Sequence, residues 1–486
     1  MTAAGQTTAS SKRTVIPIVP APPSGGSMYQ SEKKIHPREI KGRFANWRWL
    51  VVGLTQLAFY GLSWLDWNGR QAVLFDLAAR RFYVFGLVLY PQDFIYLAAL
   101  LIVSAYSLFL FTAVAGRLWC GFACPQTVYT EVFLWIERRF EGDRTARMRL
   151  DAAPWTGDKL ARRGGKLGAW VALSLWTGFS FVGYFTPIRT LAAETLHLAF
   201  GPWEWFWIVF YAFATFGNAG FMREQVCKYM CPYARFQSAM FDRDTMIVSY
   251  DGGRGEPRGA RSKSIAHADL ARQGRGECID CTLCVQVCPT GIDIRDGLQY
   301  ECIGCASCID ACDGVMDKMG YPRGLVRFAT ENGLAQGWNR AQMLRRVLRP
   351  RVLVYTGVLL AIVGALATSV ALRSPFRVDV IRDRGALARQ VEDGRIENVY
   401  RLQVMNASET PQHFHVSATG LDGLVVASTP ELDVDGAEAR WLAVRVQVPF
   451  TTVQQARPGV HPIRFSIERS AGGVAIVEKS TFLIPR

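Results

Sequence analysis

Long apolar runs alternate with polar, mostly basic stretches along the first three quarters of the chain. Five of those runs approach the length of about 20 apolar residues that a bilayer-crossing helix needs. They cover residues 49–65, 94–118, 167–185, 203–221 and 352–372. The fifth contains no charged residue, which sets it apart from a buried core helix. Trp203, Trp205 and Trp207 at the start of the fourth form the kind of aromatic belt found at a membrane surface. A shorter run over 82–90 cannot span; it is predicted to be a re-entrant or interfacial piece packed on the helices. After Arg373 the period changes. Seven short β-prone runs separated by turn residues follow: 376–381, 399–405, 413–418, 424–428, 441–448, 463–468 and 475–483. That spacing predicts an antiparallel sandwich of immunoglobulin-like type, without the cysteine pair of antibody domains.

Charge gives the helices a direction. The 486 residues are half hydrophobic and carry a net charge of +14. No nucleic-acid-binding motif accompanies that charge, so no nucleic acid partner is expected. Basic loops beside apolar spans mark the cytoplasmic face instead. Lys and Arg cluster over 33–48, 138–166 and 340–351, whereas the loop after the third run has only Arg189. Arg70, Arg80 and Arg81 run against this pattern in the first external loop. The N-terminus and the stretch before the fifth run are therefore expected in the cytoplasm, and the C-terminal domain outside, in the periplasm. No signal peptide is read at the start. The first residues are rich in Ala, Thr, Ser, Pro and Gly, which predicts a disordered tail.

The expected fold is a polytopic α-helical membrane protein of five spans, with a cytoplasmic two-cluster ferredoxin-type insert and a C-terminal all-β immunoglobulin-like sandwich. Its divisions are a basic disordered tail over 1–45, a four-span domain over 46–241, the insert over 242–340, the last span over 351–372 and the external domain over 373–486.

The insert is read from cysteines. Eight of the twelve fall in one segment, as Cys278-x-x-Cys281-x-x-Cys284-x-x-x-Cys288-Pro289 and Cys302-x-x-Cys305-x-x-Cys308-x-x-x-Cys312. The second copy repeats the spacing of the first, cysteine for cysteine. In this spacing each copy gives three thiolates to one 4Fe-4S cluster and the fourth to the other. Cys278, Cys281, Cys284 and Cys312 are thus expected to hold one cluster, and Cys288, Cys302, Cys305 and Cys308 the second. Zinc would need only half of these thiolates, and disulfides do not suit a reducing compartment. Gly291 and Gly304 relax the nearby backbone. Asp313 stands where the first copy has Pro289, which loosens the turn and spares the ligands.

The other four cysteines form a second pair of repeats. Cys120-Gly-Phe-Ala-Cys124-Pro125 and Cys227-Lys-Tyr-Met-Cys231-Pro232 occupy matching positions, each after two spans. An internal duplication is predicted, with amphipathic helices over 127–140 and 234–240 after the motifs. Cysteines four apart share a helical face, and proline starts a new helix. Four converging thiols suit Cu(I), zinc or an iron–sulfur site, a dithiol–disulfide pair, or inert packing. Met222, Met230 and Met240 lie near the second copy as soft ligands or as filling. His413 and His415 on one strand face read as surface histidines before they read as copper ligands.

These features together resemble the cytochrome c oxidase accessory proteins of the FixG/CcoG/RdxA family. The resemblance runs from about Trp47 to the C-terminus. It includes Trp64-Leu-Asp-Trp67-Asn-Gly-Arg70-Gln71 and Tyr90-Pro-Gln-Asp93-Phe. It implies two 4Fe-4S clusters and a role in assembling cbb3-type cytochrome c oxidase in the bacterial inner membrane. The implied activity is that of an oxidoreductase, a cupric reductase that turns Cu(II) into Cu(I). Cys120, Cys124, Cys227 and Cys231 then become the catalytic, copper-handling thiols. Oxidase assembly factors or copper chaperones are the implied partners; the electron donor is not named, and a homo-oligomer stays open. Two other readings remain beside this one: a copper-free membrane relay exchanging electrons with quinol or a periplasmic reductase, and a non-enzymatic copper-binding scaffold.

Overall fold

The computed structural model describes residues 34–485 apart from Leu198, Ser264, Ala271, Arg384, Ala386 and Leu387. Most of the expected N-terminal tail, residues 1–33, lies outside the described residues. Lys34 to Gly42 is extended and fastened, with the Arg38 N–H donating to the Gln286 carbonyl at 2.8 Å and Arg147 to the Pro37 carbonyl at 2.6 Å.

The helical part begins with α1 (Arg43–Gly61), whose first N–H groups are capped from a distance. Phe44 and Ala45 donate to Asp310 at 3.1 and 2.7 Å, which satisfies helix-end donors that have no partner within the helix. Then come α2 (Phe94–Ala115), the short α3 (Leu118–Phe122), α4 (Pro125–Glu141), α5 (Arg144–Ala152) and α6 (Gly157–Val182). Helix α7 (Pro202–Thr215) continues into a π-helical stretch, Phe216–Met222. A π-helical turn, Val226–Met230, precedes α8 (Pro232–Met240), and α10 (Pro350–Ala371) ends the helical part after the insert.

Among the described residues, three helices are long and apolar enough to cross a membrane: Pro91–Ala115, Pro202–Met222 and Pro350–Ala371. The apolar window of the first has none of its residues buried inside the protein. The two other expected runs fall on α1 and α6. Helix α1 buries Arg48, and α6 opens with Asp158, Lys159, Arg162, Arg163 and Lys166 ahead of its apolar part.

The run over 82–90 is not a re-entrant piece. It supplies two strands of a three-stranded meander, β1 (Val73–Asp76), β2 (Arg81–Val84) and β3 (Leu87–Leu89). Phe85 takes φ 52° and Gly86 follows it, so the chain reverses too tightly for a helix. The meander packs chiefly on the C-terminal domain, with Leu74, Tyr83, Val88 and Tyr90 against Met405 and Ala437.

In the insert, β4 (Ile247–Tyr250) pairs with β5 (Val326–Ala329), and α9 (Ser307–Met319) lies between them in sequence. The C-terminal domain is the expected sandwich. Strands β6 (Phe376–Arg382), β7 (Ile396–Asn406), β8 (Gln412–Thr419), β9 (Val425–Val426), β10 (Glu431–Val434), β11 (Ala439–Val448), β12 (Gly459–Arg469) and β13 (Ala475–Ile484) form two sheets. One runs β9-β11-β7-β6 and the other β10-β8-β12-β13. Phe376, Tyr400, Phe414, Phe465 and Phe482 fill the space between them. Strand β10 was not expected: it is short, and its acids Glu431 and Asp433 alternate with the buried Leu432 and Val434.

Candidate metal centre

The two cysteine copies have the same backbone. Asp280 and Gly304, equivalent positions in the two copies, both take positive φ (54° and 69°). So do Thr282 and Ala306, the next equivalent pair (56° and 60°). These left-handed residues turn each loop back on itself, so that successive cysteines face inward rather than alternating outward. The strain at three non-glycine positions is typical of a site whose geometry is fixed by function.

Cys278, Cys281, Cys284 and Cys312 line one cavity. Its remaining wall is mostly apolar, with Thr282 and Tyr250 carrying hydroxyls and Arg295 the single charge in that lining. Cys288, Cys302, Cys305 and Cys308 form the second set. Cys302 feels the charges of Cys305 and Cys288, and Cys308 those of Cys305, Cys302 and Cys288. The fourth cysteine of each copy therefore faces the other copy's three. Burial pushes the Cys284 thiol up to about 11 and the Cys302 and Cys312 thiols up to about 12. Thiols so buried are deprotonated by metal binding itself. Thr290 and Ser307 hydroxyls lie 3.3 and 3.5 Å from Cys288 and Cys305 sulfurs; hydrogen bonds to ligand sulfur tune a cluster's potential. Among the described residues no three His, Cys, Asp or Glu side chains converge tightly enough to hold a single metal ion. Four thiolates in each set are the donor number and softness that a 4Fe-4S cluster takes.

The four thiols of the other motifs also come together from their two repeats. Burial, then Cys124, pushes Cys120 up to about 11; burial, then Cys124, Cys120 and Cys231, pushes Cys227 up to about 12. The expectation that each pair shares a helical face is corrected. Cys120 lies within α3 and Cys227 within a π-helical turn, while Cys124 and Cys231 are extended residues capping α4 and α8 (ψ 130° and 108°). Pro125 and Pro232 are the cause, since proline drives the residue before it out of the helical region. Cys120 donates to the Gln237 side chain at 3.3 Å, which ties the first motif to the helix after the second.

The two cysteine motifs pack against each other through their backbones. A Cβ on Gly121 would lie 2.7 Å from the backbone of Gly304 and Cys305, so α3 sits flush on the second cysteine loop. Arg117 donates to the carbonyls of Tyr300 and Ala234, joining that loop to α8. Arg48 donates to the Cys305 carbonyl and to Ser307 at 3.3 and 2.8 Å. Tyr300 donates to the Lys228 carbonyl at 2.8 Å. Cys227 and Cys305 line the same small cavity. A network of charge steadies the approach to Cys227. Arg223 has φ 38°, and its guanidinium donates to the fully buried Glu137 at 2.8 Å and lies 5.6 Å from the Trp170 ring. Glu137 also takes Arg147 at 3.2 Å.

Comparison with known proteins agrees with this geometry. Residues 222–331 match the family model described as a 4Fe-4S dicluster domain, residues 97–141 one described as a 4Fe-4S binding domain, and residues 366–485 the IG-like fold at the C-terminus of FixG. Nitrogen fixation protein FixG of Rhizobium meliloti is 39% identical over 434 residues, covering 83% of this chain and 82% of that protein. The chain belongs to the FixG family. Protein RdxA of Cereibacter sphaeroides is 42% identical over 406 residues (82% of this chain, 84% of RdxA), and RdxB of the same organism 40% over 401 residues (81% and 83%). This FixG-family chain is an iron–sulfur protein built for electron transfer. The 4Fe-4S match over 97–141 includes Cys120 and Cys124, outside the eight-cysteine run.

Sequence reasoning missed Arg48, Arg117, Gly121, Glu137 and Arg223. Gly121, between two cysteines, was the one legible hint, since a glycine there permits close backbone approach. The two other stretches behind the resemblance proved structural. Asn68-Gly69 turns a tight hairpin, with both residues at positive φ, and Arg70 reaches Glu409 of the C-terminal domain. Asp93 is buried between Arg373 and Arg377, and Tyr90 donates to the Asn406 carbonyl at 2.8 Å. His413 is an exposed residue paired with Asp433 at 2.7 Å, which raises its pKa.

Proposed function

We propose that the chain is a cupric reductase of the bacterial inner membrane, serving assembly of cbb3-type cytochrome c oxidase. In this reading Cys278, Cys281, Cys284 and Cys312 hold one 4Fe-4S cluster, and Cys288, Cys302, Cys305 and Cys308 the other. When bound, the clusters supply one-electron carriers. Cys120, Cys124, Cys227 and Cys231 are the catalytic thiols that receive copper as substrate. Thiolates favour Cu(I) over Cu(II), so a sulfur-lined site draws the reduced ion and releases thiol protons as it binds.

The observation that carries the reading is the flush packing of Gly121 on the Gly304–Cys305 backbone. It leaves no side chain between the copper-handling motif and a cluster loop. The chain's own residues do the positioning: Arg117 and Arg48 hold the loop, and the Glu137–Arg223 pair fixes the turn that delivers Cys227.

The topology belongs to the same proposal: five spans, with the N-terminus and the 242–340 insert cytoplasmic and the 373–486 domain periplasmic. It is supported by the two-ended arrangement. The fastened residues 34–48, the thiol motifs and the insert gather at one end, while the meander and the sandwich pack together at the other. Copper chaperones or oxidase assembly factors would meet the protein on either face.

Elemental analysis and electron paramagnetic resonance of the anaerobically purified full-length protein test this. Iron in both cluster sets together with Cu(I) held by the four thiols is the expected result. Intact clusters with no copper uptake would move the assignment to a copper-free relay. Copper uptake without any cluster-dependent change in its oxidation state would reduce the protein to a scaffold.

A further inference from the structure

A cavity of about 660 Å³ lies where the insert meets the helical part. One wall is the face of α9 carrying Ile309 and Asp313, each one residue past a cluster cysteine, Cys308 and Cys312. The opposite wall comes from the ends of the helical part, Phe44 at the start of α1 and Leu118 just after α2. The short segment that leads to the last span adds Trp338, Arg340 and Leu344 to the lining.

Two charges in this cavity have no counterpart among the described residues. Arg43 and Arg340 line it, and neither side chain has an acidic or hydrogen-bonded partner among the described residues. A third arginine, Arg327, is held by Asp251 at 2.9 Å. The one carboxylate in the lining, Asp313, accepts from the Gly324 N–H at 2.9 Å. Residues 338–351 contain five arginines and no acid. Arg349 and Arg351 are satisfied by Asp242 at 3.0 and 3.3 Å, and Arg346 lies 5.3 Å from the Trp338 ring. Leu344 in the lining and Leu348 four residues on are 48% and 70% exposed, apolar side chains with little protein cover.

We infer that this cavity binds an anionic phospholipid, with the headgroup phosphate between Arg43 and Arg340 and the acyl chains running out past Leu118 and Leu344. The inference rests on the chain being a membrane protein. Basic cavities between spans on the cytoplasmic side recognise such headgroups, and the apolar walls here have no use for a free phosphate. The lipid would be a wedge between the membrane end and α9, the helix that supplies a cysteine to each cluster. The insert would then sit at a set distance from the bilayer rather than hang on its connecting segments.

The test uses the full-length protein in nanodiscs of phosphatidylcholine, alone or mixed with phosphatidylglycerol, followed by native mass spectrometry of co-purified lipid. Wild type should retain phosphatidylglycerol in preference to phosphatidylcholine. The double variant Arg43→Gln, Arg340→Gln should lose that preference about thirtyfold, the effect of two headgroup-facing cations. Both positions are exposed, so the variant is expected to fold; retained iron content checks it. Excess inorganic phosphate should leave the bound lipid in place. Equal retention by wild type and variant, or displacement of the lipid by phosphate, overturns the inference. Failure of wild type to enter any nanodisc would instead overturn the membrane reading beneath it.

Discussion

Gly121→Ala is the smallest change that should separate the two thiol groups. The added Cβ would lie 2.7 Å from the Cα and N of Cys305 and from the carbonyl carbon of Gly304. These are backbone atoms, so no side chain can swing aside. Ordinary contact begins at 3.4 Å, so α3 or the cysteine loop must retreat by about 0.7 Å. Neither moves freely: Arg117 pins the loop to α8, and Arg48 pins it to α1. Overpacking of this kind costs about 1–3 kcal/mol. The expected result is a lower apparent melting temperature for the iron-loaded protein and a changed resonance signal from the cluster proposed at Cys288, Cys302, Cys305 and Cys308. Gly168→Ala is the control, because its Cβ would meet nothing within 4 Å and alanine gains about 0.5–1 kcal/mol over glycine inside a helix. Wild-type melting and an unaltered signal in Gly121→Ala would refute the close contact on which the electron path depends.

Other consequences follow from the same geometry. Glu137→Gln should destabilise the protein by about 3–5 kcal/mol, because it leaves Arg147 and Arg223 buried without their charge partner; thermal unfolding measures the loss. Burial pushes the Glu137 carboxyl up, but Arg223, Arg147 and Lys166 together hold it below its usual 4.5. Its stabilisation is therefore full above pH 4.5 and is lost as the pH falls through the lower folded value, so the gap between wild type and variant should close in melts below that pH. Asp93→Asn should loosen the C-terminal domain from the end of α2, since Asp93 is the shared partner of Arg373 and Arg377; faster proteolysis between the last span and an intact sandwich is the expected pattern. Iron chelation should expose amides over 278–312 to hydrogen exchange while the sandwich core stays protected, because only the former segment is built around metal.

The sequence was most legible where one local rule governs. β-prone runs set off by turn residues located seven of the sandwich strands, and the cysteine spacing located two loops whose left-handed residues recur at equivalent positions. It was least legible where distant residues decide. The apolar run over 82–90 was judged by length alone; its strands pair with each other and with the neighbouring 73–76, and the surface they cover lies in the distant C-terminal domain. Helix α6 begins at Gly157, well ahead of its expected apolar run, because Thr156 caps it and its charged first turns are helical too. The second cysteine of each Cys-x-x-x-Cys-Pro motif leaves the helix under the influence of the following proline, a local rule applied one residue too late. The contact at Gly121 could be suspected from composition, but its partner, Cys305, could not.

The central claim is that the clusters feed electrons to copper at Cys120, Cys124, Cys227 and Cys231. Its most direct test is anaerobic mixing of reduced, iron-loaded protein with Cu(II), following cluster absorbance and Cu(I) formation together. Wild type should reoxidise its clusters as Cu(I) appears. The variant with all four of these cysteines replaced by serine should keep its iron, stay reduced and form little Cu(I). Wild-type rates of Cu(I) formation in that variant would contradict the account.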